Sequence, residues 1–482
     1  MKNSSITQHP SPITSYLCTL LFGVAVFLFF GLAYPHHLHY QEQYQLFLFD
    51  SNYVCEIIKH TGGVADLLGR FCTQFFLYAW VGALIIALLL STVQLLTRQL
   101  IAPSNSPSLY GLSFVPSFLL WILLLDENAL LGGIWAVLLT LFVVWGIVKL
   151  TKGRIRIILF IVAIPILYIL VGPVCFPIPI DSLWTGVHYY RYPTVFPWLL
   201  WGAAFSIWVL AGIAILIRRF PKHFSHLTPL TSLLLTALVA GIMGTLVWKN
   251  TNFKAEKVMQ YDFMACHQQW NRILDAVNQE KPNNQIGVTV QNLALAMHGT
   301  LLDQMFNYKQ NGIAGLLPDV KEDATSPLPT AEAFYQLGMI NVAQRTVFEA
   351  QEAILDFQKS GRCYKRLAQT NLINGQYEVA RKYLTALQKT LFYRYWADET
   401  LLLLGDEKAI DSHPEYGRLR QYAYKEEFYF SDHVTPEMLQ SLYFSNTDNR
   451  LAYQYLVAYY LLTGDREGFN HFMSIKNEKD SI

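Results

Sequence analysis

Long apolar runs separated by short polar clusters fill the first half of this chain, and from about residue 250 the pattern changes to mixed, helix-spaced positions. A hydrocarbon core ~30 Å thick is crossed by about 20 apolar residues in a helix, with roughly 17–25 usual. Seven stretches meet that length: 13–34, 75–96, 109–125, 129–150, 155–174, 197–217 and 230–248. The third is the shortest and carries Pro116, and Pro165 falls mid-span in the fifth, where it predicts a kink. The first run exceeds the ~7–15 apolar residues of a cleavable signal peptide, so it reads as a retained anchor. Ala237 and Gly241 in the last run form a small-xxx-small pair expected to pack against another helix.

Beyond Lys254 the apolar positions recur at helical spacing, with short Gly, Asn and Pro breaks. In "YKRLAQTNLINGQYEVARKYLTALQK", Tyr364, Leu367, Ala368 and Asn371 share one helix face. A turn follows at Asn374-Gly375-Gln376, and Tyr377, Ala380, Tyr383, Leu384 and Leu387 line a second helix. This unit resembles a tetratricopeptide repeat. Leu337, Gly338 and Ala350 fit the same frame, as do Tyr453, Leu456, Gly464 and Phe469, while Leu293-Ala294 marks a more degenerate helix. The expectation is a degenerate solenoid of stacked helix pairs, none able to bury its apolar face alone. Residues 318–330, "PDVKEDATSPLPT", read as a linker or surface loop.

Composition sharpens the division. Only 15% of the 482 residues are charged and 53% are hydrophobic, against about 25% charged for a soluble domain. A formal net charge of +1 argues against a nucleic-acid partner, because neutralising phosphates needs a basic surface. Lysine and arginine placement sets the orientation. With the N-terminus in the cytoplasm, the inner loops collect Arg98, Lys149, Lys152, Arg154, Arg156, Arg218, Arg219 and Lys222; the outer short loops hold Lys59, Arg70 and Arg191. The expected architecture is all-α: a seven-span membrane domain over 1–249, with a structured outside loop at 35–74, and a periplasmic TPR-like α-solenoid domain over 250–482. The site is the bacterial inner (plasma) membrane.

The stretches "YPHHLHYQEQYQLFLFD", "GGVADLLGRFCTQFF" and "NLALAMHGTLLDQMFNYKQNGIAGLLPD" resemble an uncharacterised family of multi-pass proteins from Bacteroidota-type bacteria. That resemblance implies no activity. In layout alone, the chain is similar to lipid-linked-sugar glycosyltransferases of the GT-C class. Those enzymes have a long first outside loop with short helices and an essential acid, and some O-mannosyltransferases among them end in a lumenal tetratricopeptide array. They usually have more spans, and the first loop here holds no Asp-Glu pair.

Candidate chemistry therefore sits in the outside loops. Tyr40, Tyr44, Phe47 and Leu48 share a face at helical spacing, with Gln41, Glu42 and Gln45 to one side, as in a helix lying in the membrane interface. Ser51 or Asn52 is expected to cap a following helix that stops at Gly62-Gly63. Glu42 or Asp50 could serve as a general base towards an acceptor hydroxyl, a role that needs hydrogen-bond reach; the alternative is a solvated acid at the edge of an interfacial helix. In the third outside loop, Arg191 could clamp a lipid phosphate, with His188 and Asp181 nearby, or act as an interfacial anchor. Asp126 and Glu127 read as a connecting turn. His36, His37 and His39 form no expected metal site, since three imidazoles within four residues rarely converge on one ion. Cys55 and Cys72 share the first outside loop, where a disulfide is permitted.

No run carries a clear mid-membrane charge, which opposes ion-coupled transport. No nucleophile elbow, zinc-protease motif, phosphate-cradling loop or dinucleotide fingerprint occurs, and no cofactor is indicated. Three functional readings follow. The first is a scaffold that contacts membrane lipid and recruits periplasmic proteins through residues 250–482. The second is a GT-C-like enzyme acting on a lipid-linked substrate, and the third is a transporter.

Overall fold

The computed structural model describes residues 12–59, 62–101, 110–175, 198–219, 229–319, 327–354, 358–424 and 435–480. Among these the chain is all-helical, without a strand, and it divides into two compact units, Met1–Phe253 and Lys254–Ile482.

The first unit contains five helices long and apolar enough to cross a membrane: Tyr16–Ala33, Ala79–Ile101, Leu131–Leu150, Trp198–Ile215 and Thr231–Asn250. These mark a membrane protein. Its elements are α1 (Pro12–Leu28), prolonged by a π-helical turn at Phe29–Ala33, then α2 (Pro35–Glu42), α3 (Ser51–Lys59), α4 (Gly63–Thr73) and α5 (Ala79–Ile101). There follow α6 (Val115–Leu123), α7 (Leu131–Leu150), α8 (Gly153–Cys175), α9 (Trp198–Arg219) and α10 (Pro229–Asn250). The run at 109–125 yields only the short apolar helix Gly111–Leu123. At ~1.5 Å per residue it falls short of a ~30 Å core.

The central helix is α5, more than half of whose residues are buried against protein, whereas Trp198–Ile215 and Thr231–Asn250 are mostly unburied and face outward. Close approach depends on glycine where α4 meets α7. A Cβ on Gly69 of α4 would lie 2.5 Å from the Gly132 amide nitrogen of α7, so only glycine lets these two backbones meet. Among the described residues no helix packs on the Ala237 and Gly241 pair: Ala237 is exposed and the space around Gly241 is open. Inside the bundle a neutral polar chain links the helices. Thr19 Oγ1 donates to Gln94 Oε1 (2.8 Å), Gln94 Nε2 to Ser113 Oγ (2.8 Å), and Ser117 Oγ to the Leu90 carbonyl (2.8 Å). Such bonds satisfy polar groups where no water can.

The second unit begins with α11 (Phe253–Cys266), α12 (Trp270–Glu280), α13 (Gln285–Met297), α14 (Leu301–Gln304), α15 (Pro327–Leu337), α16 (Ile340–Glu352), α17 (Gly361–Ile373) and α18 (Tyr377–Gln388). It continues with α19 (Arg394–Leu401), α20 (Glu407–Ser412), α21 (Tyr416–Tyr422), α22 (Pro436–Ser445), α23 (Arg450–Thr463) and α24 (Arg466–Asp480). Four of the helix-to-helix turns close in the same way. Gln268, Gly299, Gly338 and Gly375 adopt positive φ, and the next amide donates to the carbonyl five residues back: Gln269 to Met264, Thr300 to Leu295, Met339 to Phe334, and Gln376 to Asn371, all at 2.8–2.9 Å. This left-handed cap satisfies the last carbonyls and reverses the chain at once.

The end of the chain folds back. Asn449 Nδ2 donates to the Leu337 carbonyl (2.8 Å) and Gln454 Nε2 to that of Ala296 (3.1 Å), so α23 closes on α13 and α15. The stretch 327–330, expected to be loop, is the buried first turn of α15. Proline at N1 suits a helix start because its missing amide has no partner there anyway.

Candidate functional site

Two places concentrate polar chemistry, one in each unit. The first is the segment after α1. Its helix α2 ends at Glu42, and 45–50 run on without helix, contrary to the continuous interfacial helix expected. The polar side chains also face inward: Gln41, Glu42 and Gln45 are 5%, 5% and 1% exposed. Gln41 Nε2 donates to the Asp126 and Ala129 carbonyls (3.3 and 3.2 Å), and Thr73 Oγ1 donates to Gln45 Oε1 (3.2 Å). Fully buried His37 stacks on Tyr34 at 4.5 Å, and its Nε2 lies 2.8 Å from the Leu124 carbonyl. Burial lowers its pKa to about 4, so the ring is neutral near pH 7 and donates that bond. These contacts clamp the segment to the 124–129 turn.

Asp50, rather than Ser51 or Asn52, caps α3: its Oδ1 accepts from the Asn52 and Tyr53 amides at 2.9 and 3.2 Å. That is an ordinary N-cap employment for a carboxylate. Glu42, the last residue of α2, is an enclosed carboxylate at 5% exposure. Asp126 Oδ1 accepts from the Asn128 amide at 2.9 Å and shapes the turn. Asp181, His188 and Arg191 lie outside the described residues. Cys55 and Cys72 are both free thiols, and no group of metal-ligating side chains occurs among the described residues.

The second place is in Lys254–Ile482. Asp262 on α11, Glu332 on α15, and Arg362 and Arg366 on α17 form a buried ion network. Arg362 holds Asp262 through two nitrogens at 2.5 and 2.8 Å, and Arg366 Nη2 sits 2.6 Å from both Glu332 oxygens. The Arg366 guanidinium lies 3.6 Å from the Tyr335 ring centroid, and Tyr335 donates to Glu415 (2.9 Å). Burial opposes the charge on each arginine, but the facing carboxylates outweigh it and hold both pKa values above the usual arginine range. Burial likewise pushes the Cys363 thiol up to about 11, which leaves it unreactive near neutral pH.

Beside this network a groove of about 780 Å³ opens between α16, α17, α18 and the end of α21. Its wall carries a ladder of amides. Asn374 Nδ2 donates to Asn341 Oδ1 (2.8 Å) and Gln344 Oε1 (3.2 Å), and Gln344 Nε2 donates to Asn371 Oδ1 (3.3 Å). Phe348 and Tyr383 supply aromatic surface, and Arg345 and Arg420 complete the polar lining. Arg420 is bound to Glu407 (2.6 Å), Asp411 (3.0 Å) and Tyr377 Oη (2.8 Å), which ties α21 to α18 and α20. Sequence reasoning missed the ladder. The one available signal was the recurrence of Asn341 and Asn374 beside successive helix-pair turns.

No curated protein and no solved structure is similar to this chain. A family model does match, over residues 11–482 and therefore across both units. With nearly its whole length covered, the chain belongs to the family of unknown function DUF6057.

Proposed function

We propose that the protein is a scaffold of the bacterial cell envelope. In this reading the whole apolar run at 109–125, of which α6 is the helical part, and α8 complete seven spans of the inner membrane, the N-terminus is cytoplasmic, and residues 250–482 form a periplasmic, degenerate tetratricopeptide-like array that recruits partner proteins. The excess of lysine and arginine in the loops assigned to the cytoplasm supports the orientation. The repeated left-handed caps at Gln268, Gly299, Gly338 and Gly375 support the repeat reading. The observation that carries the function is the groove: about 780 Å³ of open, mixed polar and aromatic concavity on the helix-repeat unit, which also holds a buried ion network.

The test is a photo-crosslinking amino acid placed in the full-length protein in living cells, at Phe348 in the groove and at exposed Lys281 as a control. The scaffold reading expects a discrete protein adduct from position 348 and none from 281. No adduct at 348, or the same adducts at both, would refute it. Protease access to residues 254–482 in spheroplasts checks the side of the membrane.

A second reading rests on Glu42. Glu42 is a buried ionisable group in the first loop, and such groups cluster at functional sites. A GT-C-like enzyme would use Glu42, with Asp50, as acceptor-side acids and Arg191, His188 and Asp181 on a lipid-linked donor. Glu42→Gln preserves shape and removes charge. Loss of complementation with the folded protein retained at wild-type level favours the enzyme; full complementation removes it.

A further inference from the structure

Two cations stand in the last turns of membrane-crossing helices, Arg98 on α5 and Lys149 on α7, and aromatic rings hold both. The Arg98 guanidinium lies 5.1 Å from the ring centroid of Tyr16 on α1 and 5.3 Å from that of Tyr110, just before α6. Tyr110 is buried with its hydroxyl 3.5 Å from Thr19 Oγ1, so one wall of this cradle is fixed; Tyr16, 60% exposed, forms the open wall. The next residue, Gln99, accepts a hydrogen bond from Trp145 Nε1 on α7 (2.5 Å), and the Lys149 ammonium sits 5.8 Å from the centre of a ring of that indole.

A ring face attracts a cation but does not replace oxygen acceptors for the five donors of a guanidinium or the three of an ammonium. Among the described residues neither Arg98 nor Lys149 makes a hydrogen bond or an ion pair. Arg156 differs, since its guanidinium is spent on the Thr151 and Val148 carbonyls (3.1 and 2.8 Å). The surrounding sequence offers no counter-ion either: no Asp or Glu occurs in residues 1–41, 67–125, 128–180 or 182–255. Where apolar helices end, the acceptors within reach are the phosphates of the lipid headgroups. A zwitterionic lipid brings its own cation, whereas two cations without a carboxylate call for a lipid of net negative charge.

We propose that Arg98 and Lys149 bind the phosphate of an anionic phospholipid, Arg98 through the planar fork of its guanidinium in the Tyr16–Tyr110 cradle and Lys149 from its seat on Trp145. The rings fix where the two charges stand, which makes this a site for one lipid rather than a diffuse basic surface.

Native mass spectrometry of the full-length protein in detergent tests this, with dioleoylphosphatidylglycerol, dioleoylphosphatidylcholine and inorganic phosphate as probes. One phosphatidylglycerol should bind at least about tenfold more tightly than phosphatidylcholine, and phosphate at the same concentration should not displace it. Arg98→Gln should weaken phosphatidylglycerol about tenfold and Lys149→Gln about fivefold. Lys152→Gln and Arg154→Gln change exposed cations that have no ring contact among the described residues, and should alter the affinity less than about twofold. Lys149 is exposed, so its variant reads the site even where Arg98→Gln fails to fold. Equal binding of the two lipids, displacement by phosphate, an unchanged affinity in Lys149→Gln, or a loss as large in Lys152→Gln as in Lys149→Gln overturns the proposal.

Discussion

Arg366→Met tests whether the buried ion network holds the helical unit together. Arg366 and Glu332 have side chains only 11% and 3% exposed, and one arginine nitrogen reaches both carboxylate oxygens at 2.6 Å. Methionine fills similar volume and keeps a favourable contact with the Tyr335 ring, so packing loss is small. What remains is Glu332, buried, with Arg362 only at 3.9 Å. Removing one member of a buried pair costs about 3–5 kcal/mol, because the other charge is left uncompensated. The residual Arg362 contact puts the expected cost near the lower end, about 3 kcal/mol. For a unit of this size that corresponds to a melting shift of roughly 6–12 °C. Adding Glu332→Met removes the stranded charge and should recover most of the loss, since Arg362 keeps its two-nitrogen hold on Asp262. Circular dichroism melting of the full-length protein in detergent reads all three variants. A shift under about 2 °C for Arg366→Met, or a double variant as unstable as the sum of the singles, refutes the reasoning.

Three further outcomes follow from the membrane unit. His37 is fully buried with its pKa lowered to about 4, so unfolding lets it take up a proton at higher pH. Its stabilising contribution is complete above about pH 6.5 and shrinks as pH falls to about 4, by roughly 3 kcal/mol; His37→Gln should flatten that acid limb in a pH series of melting curves, and an unchanged slope counts against it. Gly69→Val forces its Cβ into the Gly132 backbone at 2.5 Å and should cost about 1–3 kcal/mol, read as a lower melting point and poorer accumulation in the membrane. Asp50→Ala removes the cap of α3 and should cost about 1 kcal/mol while fully complementing a null strain, so loss of complementation by a folded Asp50→Ala protein would return this acid to the chemistry.

Legibility differed by the length scale of the physics. The apolar runs at 75–96 and 129–150 are read as spans because desolvating ~20 residues is a local, additive property of the sequence. Helix pairs such as α17–α18 are legible for a similar reason, since Gly375 at their junction permits the positive φ that closes the turn. The segment "HYQEQYQLFLFD" was not legible. Helical spacing placed Gln41, Glu42 and Gln45 on an outer edge, but Gln41 is drawn inward by carbonyls more than 80 residues further along, and Gln45 by Thr73. A run of glutamines looks the same whether water or distant carbonyls satisfy it.

The candidate groove repeats that lesson. Sequence alone determined that the chain is helical, that one half is built for lipid, and where several helix pairs turn, because each depends on neighbours within about one helical turn or one span. Only the tertiary structure decided that Asn341, Gln344, Asn371 and Asn374 form one ladder, that Arg362 and Arg366 pair with Asp262 and Glu332, and that α23 returns to cover α13 and α15. Those partners are set by how whole helices stack, and a side chain's hydrogen-bonding capacity carries no label for which distant group will meet it.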